Sequence, residues 1–257
     1  GMSRSRESNY GSFSDYVAQQ PYNSPYDANG EMAEFFEGFY GSSRGRGEFN
    51  PLYDASLGSF DKSGYEELTN NFSMEWNIID GLTLRGQFGI TSTNNHSDVF
   101  LSPKDSYFTS DEDTSPEYAT DEGFFRRGSY DYGTGKDYSW SGNLTLSYTK
   151  IFQKKHQLYV GLDYSIRESR GYYYDFALEG ISSDDMSFLG NARQYAENGV
   201  PSGTKSRSRM LGLTGNVNYT YDGRYYADLS YRVDGSSTFG TDKKFAPFWS
   251  VGLGWNI

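Results

Sequence analysis

The sequence predicts an all-β fold, an antiparallel transmembrane β-barrel segment of about seven strands with short periplasmic turns and long extracellular loops. Three observations predict it. Between Tyr138 and Lys150 the chain alternates: Tyr138, Trp140, Gly142, Leu144, Leu146 and Tyr148 share one parity, and Ser139, Ser141, Asn143, Thr145, Ser147 and Thr149 the other. A period of two puts these sets on opposite faces of a strand. A soluble half-buried strand usually shows Lys, Glu or Arg on its wet face. Small uncharged residues opposite Leu, with Tyr and Trp near the ends, fit a strand between lipid and an aqueous lumen. Second, the 257 residues are 18% aromatic with 24 Tyr, 30 Gly and no Cys, a mixture that suits pleated surfaces and turns. Third, short and long connections alternate along the chain.

The elements follow in order. Residues 1–65 are Tyr/Gly/Ser-rich without periodicity and read as an extracellular loop region; 66–257 read as barrel strands and loops. Phe72, Met74, Trp76 and Ile78 share a face in the first strand, and Leu82, Leu84, Gly86, Phe88 and Ile90 in the second. The third is Tyr138–Lys150. Leu158, Val160, Leu162, Tyr164 and Ile166 mark the fourth, and Leu211, Leu213, Gly215, Val217 and Tyr219 the fifth. Tyr225, Ala227, Leu229, Tyr231 and Val233 mark the sixth, and Trp249, Val251, Leu253 and Trp255 the seventh. Most approach the ~9–11 residues that a tilted strand needs to cross a bilayer. Asp80-Gly81 and Asp222-Gly223 make tight hairpins, because Asp-Gly accepts positive φ. Phe152-Gln153-Lys154-Lys155 makes the third short turn. The connections 92–137, 168–208 and 234–247 are long, well past the usual ~2–5 residues of a hairpin.

Composition bounds the function. No run of ~20 apolar residues exists, and the mean hydropathy is −0.75, which excludes a helical membrane protein but not a barrel. A net charge of −11 argues against nucleic acid as a partner. Without Cys there is no disulfide framework and no thiolate metal site. No signal peptide is visible, so an outer-membrane origin requires that an N-terminal part be missing. Seven is odd, whereas single-chain bacterial barrels have even strand numbers, and open edges cannot persist in lipid. The expectation is an internal piece of a larger barrel.

The residues also resemble a family. Asn50-Pro51-Leu52-Tyr53-Asp54-Ala55-Ser56-Leu57, Asn70-Asn71-Phe72 with Glu75-Trp76, Gly81-Leu82-Thr83-Leu84-Arg85-Gly86 and Phe100-Leu101-Ser102-Pro103 resemble the barrel of SusC/RagA-type TonB-dependent transporters. Tyr10-Gly11-Ser12-Phe13-Ser14-Asp15-Tyr16, then Ser24-Pro25-Tyr26-Asp27 and Asn29-Gly30, are similar to an outer loop of that family. The most specific stretch is the last: Asn218-Tyr219, Tyr221-Asp222-Gly223-Arg224-Tyr225, Arg232-Val233-Asp234-Gly235-Ser236-Ser237, Phe239-Gly240 and Trp249-Ser250-Val251-Gly252-Leu253-Gly254-Trp255. The resemblance implies a 22-stranded barrel with an N-terminal plug in a Bacteroidetes outer membrane. Such a barrel imports oligosaccharides or peptides, is driven by the TonB complex through the plug, and works under a SusD-like surface lipoprotein. The chain departs from that pattern in lacking a plug, a TonB-interacting segment and a closing aromatic strand. It would contribute wall and outer loops.

Individual residues carry weaker signals. Tyr138, Trp140, Tyr148, Tyr219, Trp249 and Trp255 suit interfacial girdles, the competing reading being a soluble core. The loop aromatics Tyr172, Tyr173 and Tyr174 could stack on sugar rings, although packing within the loop or on a lid protein is the stronger reading. Asp111-Glu112-Asp113 and Asp184-Asp185 lack Ca²⁺-loop spacing, and His96 and His156 have no metal partner at i+4, so all read as surface groups. Arg126-Arg127 and Arg207-Ser208-Arg209 are basic islands that sit either at the membrane edge or toward the lumen. No catalytic or cofactor motif is present, so neither enzyme activity nor a cofactor is expected. The alternative function is a soluble or secreted β-sandwich that binds carbohydrate, in which the apolar parity packs on a second sheet.

Overall fold

The computed structural model describes residues 2–8, 17, 19, 21–36, 49–109, 118–238 and 244–256. Among these residues nine strands form one antiparallel sheet: β1 Met2–Ser8, β2 Phe60–Ile79, β3 Leu82–Leu101, β4 Ser129–Phe152, β5 His156–Glu179, β6 Gln194–Tyr195, β7 Ser202–Tyr221, β8 Tyr225–Ser236 and β9 Phe245–Trp255. Sheet order follows chain order, with β1 and β9 at the edges and the two-residue β6 attached to β5. The seven long strands are the seven whose alternation the sequence shows.

They run further than the alternation does. β4 and β5 are 24 residues each, paired without a break from Ser129↔Glu179 to Phe152↔His156. The long connections shrink to 102–128, 180–201 and 237–244. Beyond the hydrocarbon both faces of a strand meet water, so alternation is no longer required while the backbone still pairs. Residues Ser92-Thr93-Asn94-Asn95-His96-Ser97 illustrate this: polar on both faces, they are strand throughout. At the N-terminal end, β1 pairs with the outer half of β2 (Met2↔Glu66 to Ser8↔Asp61). A short helix, Pro51–Ser56, precedes β2. Asn50 caps it through Oδ1 on the Leu52 N–H, and its amide nitrogen donates to the carbonyls of Pro25 and Ala33.

The short turns explain the register. Asp222 and Gly223 both have positive φ (53° and 67°), the geometry of a tight hairpin that follows the strand twist. Gln153 and Lys154 adopt the same region (53° and 57°) without glycine's freedom. Gly81 has φ 79°, and a Cβ there would collide with the Thr149 carbonyl oxygen of the neighbouring strand, so this site admits only glycine without strain.

Register aligns the apolar parities of all strands on one face. From Gly142–Ile166–Leu211 down to Phe152–His156–Tyr221, this face carries Leu144, Leu146, Leu162, Tyr164, Leu213 and Val217 in cross-strand rows. Ten residues at ~3.3 Å rise, tilted by ~40°, give a band about 25 Å tall, the height of a barrel's lipid-facing zone. Phe72 is 67% and Leu253 84% exposed on it. Here the sandwich alternative fails: all strands belong to one sheet, and among the described residues no second sheet covers this face. The buried cluster lies instead at the outer end. Phe100, Tyr130 and Ile181, with Phe60, Tyr132, Leu178 and Leu189, show that the 180–192 segment folds over the sheet beyond the band.

Candidate substrate-facing wall and outer cavity

The parity opposite the apolar band is a ladder of polar contacts between neighbouring strands. Arg85 Nη2 lies 2.7 Å from Glu75 Oε2, and Thr83 Oγ1 donates to Asn77 Oδ1 at 2.8 Å. Thr145 Oγ1 donates to Asp163 at 2.6 Å, Asn218 Nδ2 to Asp228 at 2.6 Å and Asn95 Nδ2 to Asp137 at 2.9 Å. Each pair satisfies itself while leaving lone pairs and N–H groups toward open space. Such a face solvates a polar solute and repels lipid.

At the outer end two loops are clasped together. Arg126 forks onto the buried carboxylate of Glu179, with Nε to Oε1 at 2.8 Å and Nη2 to Oε2 at 3.2 Å. Gln194 Nε2 also donates to Glu179 Oε1 at 2.8 Å, and Arg126 Nη1 meets Glu197 at 2.9 Å. The hydrogen bond to Glu179 and the charge of both carboxylates hold the guanidinium charged against the cost of burial. Gly128 and Gly180, at φ 78° and 83°, let the two loop backbones meet, the Gly180 N–H donating to the Gly128 carbonyl at 2.9 Å.

Beside this clasp lies a cavity of about 410 Å³ where three loop segments converge, lined by Glu34, Tyr53, Lys104, Phe125, Arg127 and Arg193 among others. Its chemistry is amphoteric. Glu34 Oε1 and Arg127 Nε are both buried and without a hydrogen-bond partner. Arg127 Nη2 is held by the Tyr118 carbonyl at 3.0 Å, and its guanidinium lies 5.0 Å over the Phe124 ring. Arg193 lies 5.0 Å over Phe125. Burial, then the charge of Glu34, pushes the Tyr53 phenol upward, so it remains a neutral donor. Nearby, burial raises the Asp105 carboxyl to about 6, with the Asp54 charge adding to it and the Tyr107 N–H opposing. Asp54 also accepts hydrogen bonds from both the N–H and the hydroxyl of Ser106, joining the helix that follows Asn50 to the 102–109 segment.

No family model matches the chain. A TonB-dependent receptor of Formosa agariphila, P3, is 26% identical over 214 residues, covering 81% of this chain and 19% of that protein. A second from the same organism, P39, is 28% identical over 121 residues, covering 47% of this chain and 12% of that protein. The RagAB peptide importer superposes in its open-open state with a TM-score of 0.69 at 24% identity, and in its closed-closed state with 0.68 at 25%. Both superpositions cover 89% of this chain and 23% of that one. The sheet has the fold of part of a RagA-like barrel. The chain thus spans about a fifth of the length of receptor P3 and of the RagAB chain it superposes on.

The tyrosine triplet, expected in a loop, lies within β5, because the ladder with β4 continues past the apolar band, and it divides by parity. Tyr172 and Tyr174 point outward, their rings 5.4 Å apart, while Tyr173 shares the lumenal face. Tyr173 lies over Gly133 and Gly135, where an added Cβ would strike its ring, so glycine makes room for the aromatic. Arg207 and Arg209 point outward just beyond the apolar band, which resolves the two options that the sequence leaves open; Arg126 and Arg127 belong to the outer loops. His156 does not stand alone. It opens a cross-strand row of rings, Phe152–His156–Tyr221–Tyr225–Trp255, at the short-turn end, stacked on Phe152 at 4.9 Å and with Nδ1 2.6 Å from the Tyr219 hydroxyl. This aromatic row closes the short-turn end of the apolar band; Trp249 lies further up, paired with Tyr231. Asp184-Asp185 opens a single helical turn, while Asp111-Glu112-Asp113, Tyr10–Tyr16 and Phe239-Gly240 fall outside the described residues. Among the described residues no group of three acidic or histidine side chains is arranged for a metal. Sequence reasoning missed Glu34 and the Arg126–Glu179 clasp. The basic pair in an acidic chain was the available signal for the second, and nothing local marked Glu34.

Proposed function

We propose that this chain forms wall and outer vestibule of an outer-membrane importer driven by the TonB complex, and that the importer takes up oligosaccharides or peptides. The observation that carries this reading is the two-faced wall, an uncovered apolar band on one side and a hydrogen-bonded polar ladder on the other. Residues 9–59 and the 102–128, 180–201 and 237–244 connections are the extracellular parts, and a SusD-like lipoprotein is the partner that would sit on them. A plug outside this chain would couple to the TonB complex. The chain itself binds and guides and performs no bond chemistry. Between the two substrate classes, the cavity favours peptides. Glu34 suits an ammonium and Arg127 a carboxylate, with Phe124, Phe125 and Tyr53 for apolar side chains. A stacking role on the lumenal side is assigned to Tyr173.

The test is uptake by cells carrying the whole transporter, with labelled oligopeptides and labelled oligosaccharides compared, with and without a functional TonB complex. Energy-dependent uptake of peptides, reduced about tenfold or more by Glu34→Gln with Arg127→Gln, is the expected result. Recovery of the protein as a detergent-free soluble monomer would overturn the membrane reading. Uptake of oligosaccharides alone would overturn the peptide assignment.

A further inference from the structure

Immediately above the apolar band, three consecutive cross-strand rows of β4, β5 and β7 face outward: Trp140–Glu168–Arg209, Tyr138–Arg170–Arg207 and Lys136–Tyr172–Lys205. This array holds five cations and one carboxylate, a net of +4 in a chain of net −11. Its position excludes a lumenal role, because it shares parity with Ile166, Leu211 and Leu213, which face lipid. Its β4 and β5 members lie on interior strands of the sheet, and its β7 members, Lys205, Arg207 and Arg209, lie just beyond the end of the pairing with β8 at Met210↔Ser236.

The cations are preorganised. Glu168 accepts from Arg207 Nε at 2.9 Å and from Arg209 Nε at 3.1 Å, which spreads the two guanidinium groups side by side. Both arginines remain more than half exposed, at 53% and 56%, while Glu168 is 14% exposed beneath them. Arg170 lies 4.8 Å over the Tyr138 ring. Lys136 and Lys205 flank Tyr172 in the next row. Such repulsion among like charges is unfavourable by itself and is relieved by an anion. Directly below the array, a notch of about 560 Å³ is lined by Trp140, Ile166, Leu211 and Phe245, with Arg209 and Lys244 at its margin. An apolar slot ending in a cationic rim has the polarity of an anionic lipid, chain below and headgroup above.

Resting on the membrane reading given above, we propose that this array is a docking site for a phosphate-bearing lipid of the outer leaflet. The phosphate lies among Arg170, Arg207 and Arg209, with Lys136 and Lys205 above them, and one acyl chain fills the notch. Arginine pairs suit phosphate because two N–H groups of a guanidinium match two of its oxygens. Tyr172 then belongs to the headgroup site and not to the path of the imported solute.

The whole transporter, purified in neutral micelles, would be titrated with bis-phosphorylated lipid A and, separately, with the same lipid stripped of phosphate, and bound lipid counted by native mass spectrometry. One retained phosphorylated lipid is expected, with the dephosphorylated form held at least tenfold more weakly. A triple variant, Arg170→Gln with Arg207→Gln and Arg209→Gln, should lose that difference, whereas Lys150→Gln, on the same face at the periplasmic end, should keep it. Equal retention of both lipids, or undiminished retention by the triple variant, would overturn the proposal. Heat-modifiable migration of every variant in the same gels reports an intact barrel, so this lipid site can fail while the transporter reading stands. If the triple variant does not fold, the double variant Lys136→Gln with Lys205→Gln carries the test, its expected loss of preference being about threefold or more.

Discussion

Two halves of the same strands obey different rules. Around Leu144, Leu146 and Leu162, β4 and β5 are apolar on one face and polar on the other. About ten residues further along the same hydrogen-bonded ladder, Lys136, Tyr172 and Asp137 stand where no such sorting holds. The backbone pairs identically in both halves. Hydrophobic periodicity therefore reports the solvent on each side of a strand, not the strand itself. The membrane half needs no protein core, because lipid covers it. The outer half must cover itself, and it does so with the Phe100–Tyr130–Ile181 cluster and the Arg126–Glu179 clasp.

The largest expected effect lies in the outer half. Arg126→Ala leaves the carboxylate of Glu179, 5% exposed, with Gln194 as its remaining side-chain donor. Breaking a buried pair from one side costs about 3–5 kcal/mol. Hydrogen exchange of the 180–197 segment should rise a hundredfold or more in the whole transporter, while the membrane half stays protected. Arg126→Ala combined with Glu179→Gln should recover much of this, since no buried charge is stranded. In the membrane half, Leu146→Arg should cost about 2–4 kcal/mol by urea unfolding from micelles, the depth-dependent cost of a cation toward lipid. Asn143→Arg, on the opposite parity of the same strand, should cost under about 1 kcal/mol. Equal costs for the two would contradict the assignment of faces.

Much of this architecture was legible in the sequence because lipid imposes a strict rule. Seven alternating runs gave seven long strands, and Asp222-Gly223 gave its hairpin. The strand extensions were not legible, since Ser92–Ser97 is polar on both faces and carries no apolar periodicity. Nor was the cavity. Glu34, Tyr53, Arg127 and Arg193 are far apart in the chain, and loop packing brings them together. The triplet Tyr172, Tyr173 and Tyr174 shows the limit in miniature. Three identical neighbours read as one feature, whereas a period of two sends the middle one to the lumen and its neighbours outward.

Turns give a smaller contrast within the periplasmic end. Gly81→Ala meets both an unfavourable φ of 79° and the Thr149 carbonyl, and should cost about 2–3 kcal/mol. Gly223→Ala has φ 67° but open space, so only the backbone term of about 1 kcal/mol applies. Chemical unfolding of both variants separates the steric part from the conformational part.

The smallest effect is a pH dependence confined to the outer half. Burial raises the Asp105 carboxyl to about 6, and the negative Asp54 adds to this. The unfolded value is about 3.9, so the folded loop binds a proton more readily than the unfolded one. Its stabilising share is complete below pH ~4 and is lost as pH rises through about 6. Asp105→Asn removes the titration while its side-chain oxygen can still accept the Tyr107 N–H, 3.1 Å away. At pH 8 the variant's 102–109 segment should exchange amide hydrogens severalfold more slowly than the native segment, a gain of about 1 kcal/mol after allowance for partial solvent screening. At pH 4 the two should match. Faster exchange in the variant at pH 8 would mean that Asp105 is held as a carboxylate by a favourable partner, the reverse of what its burial dictates.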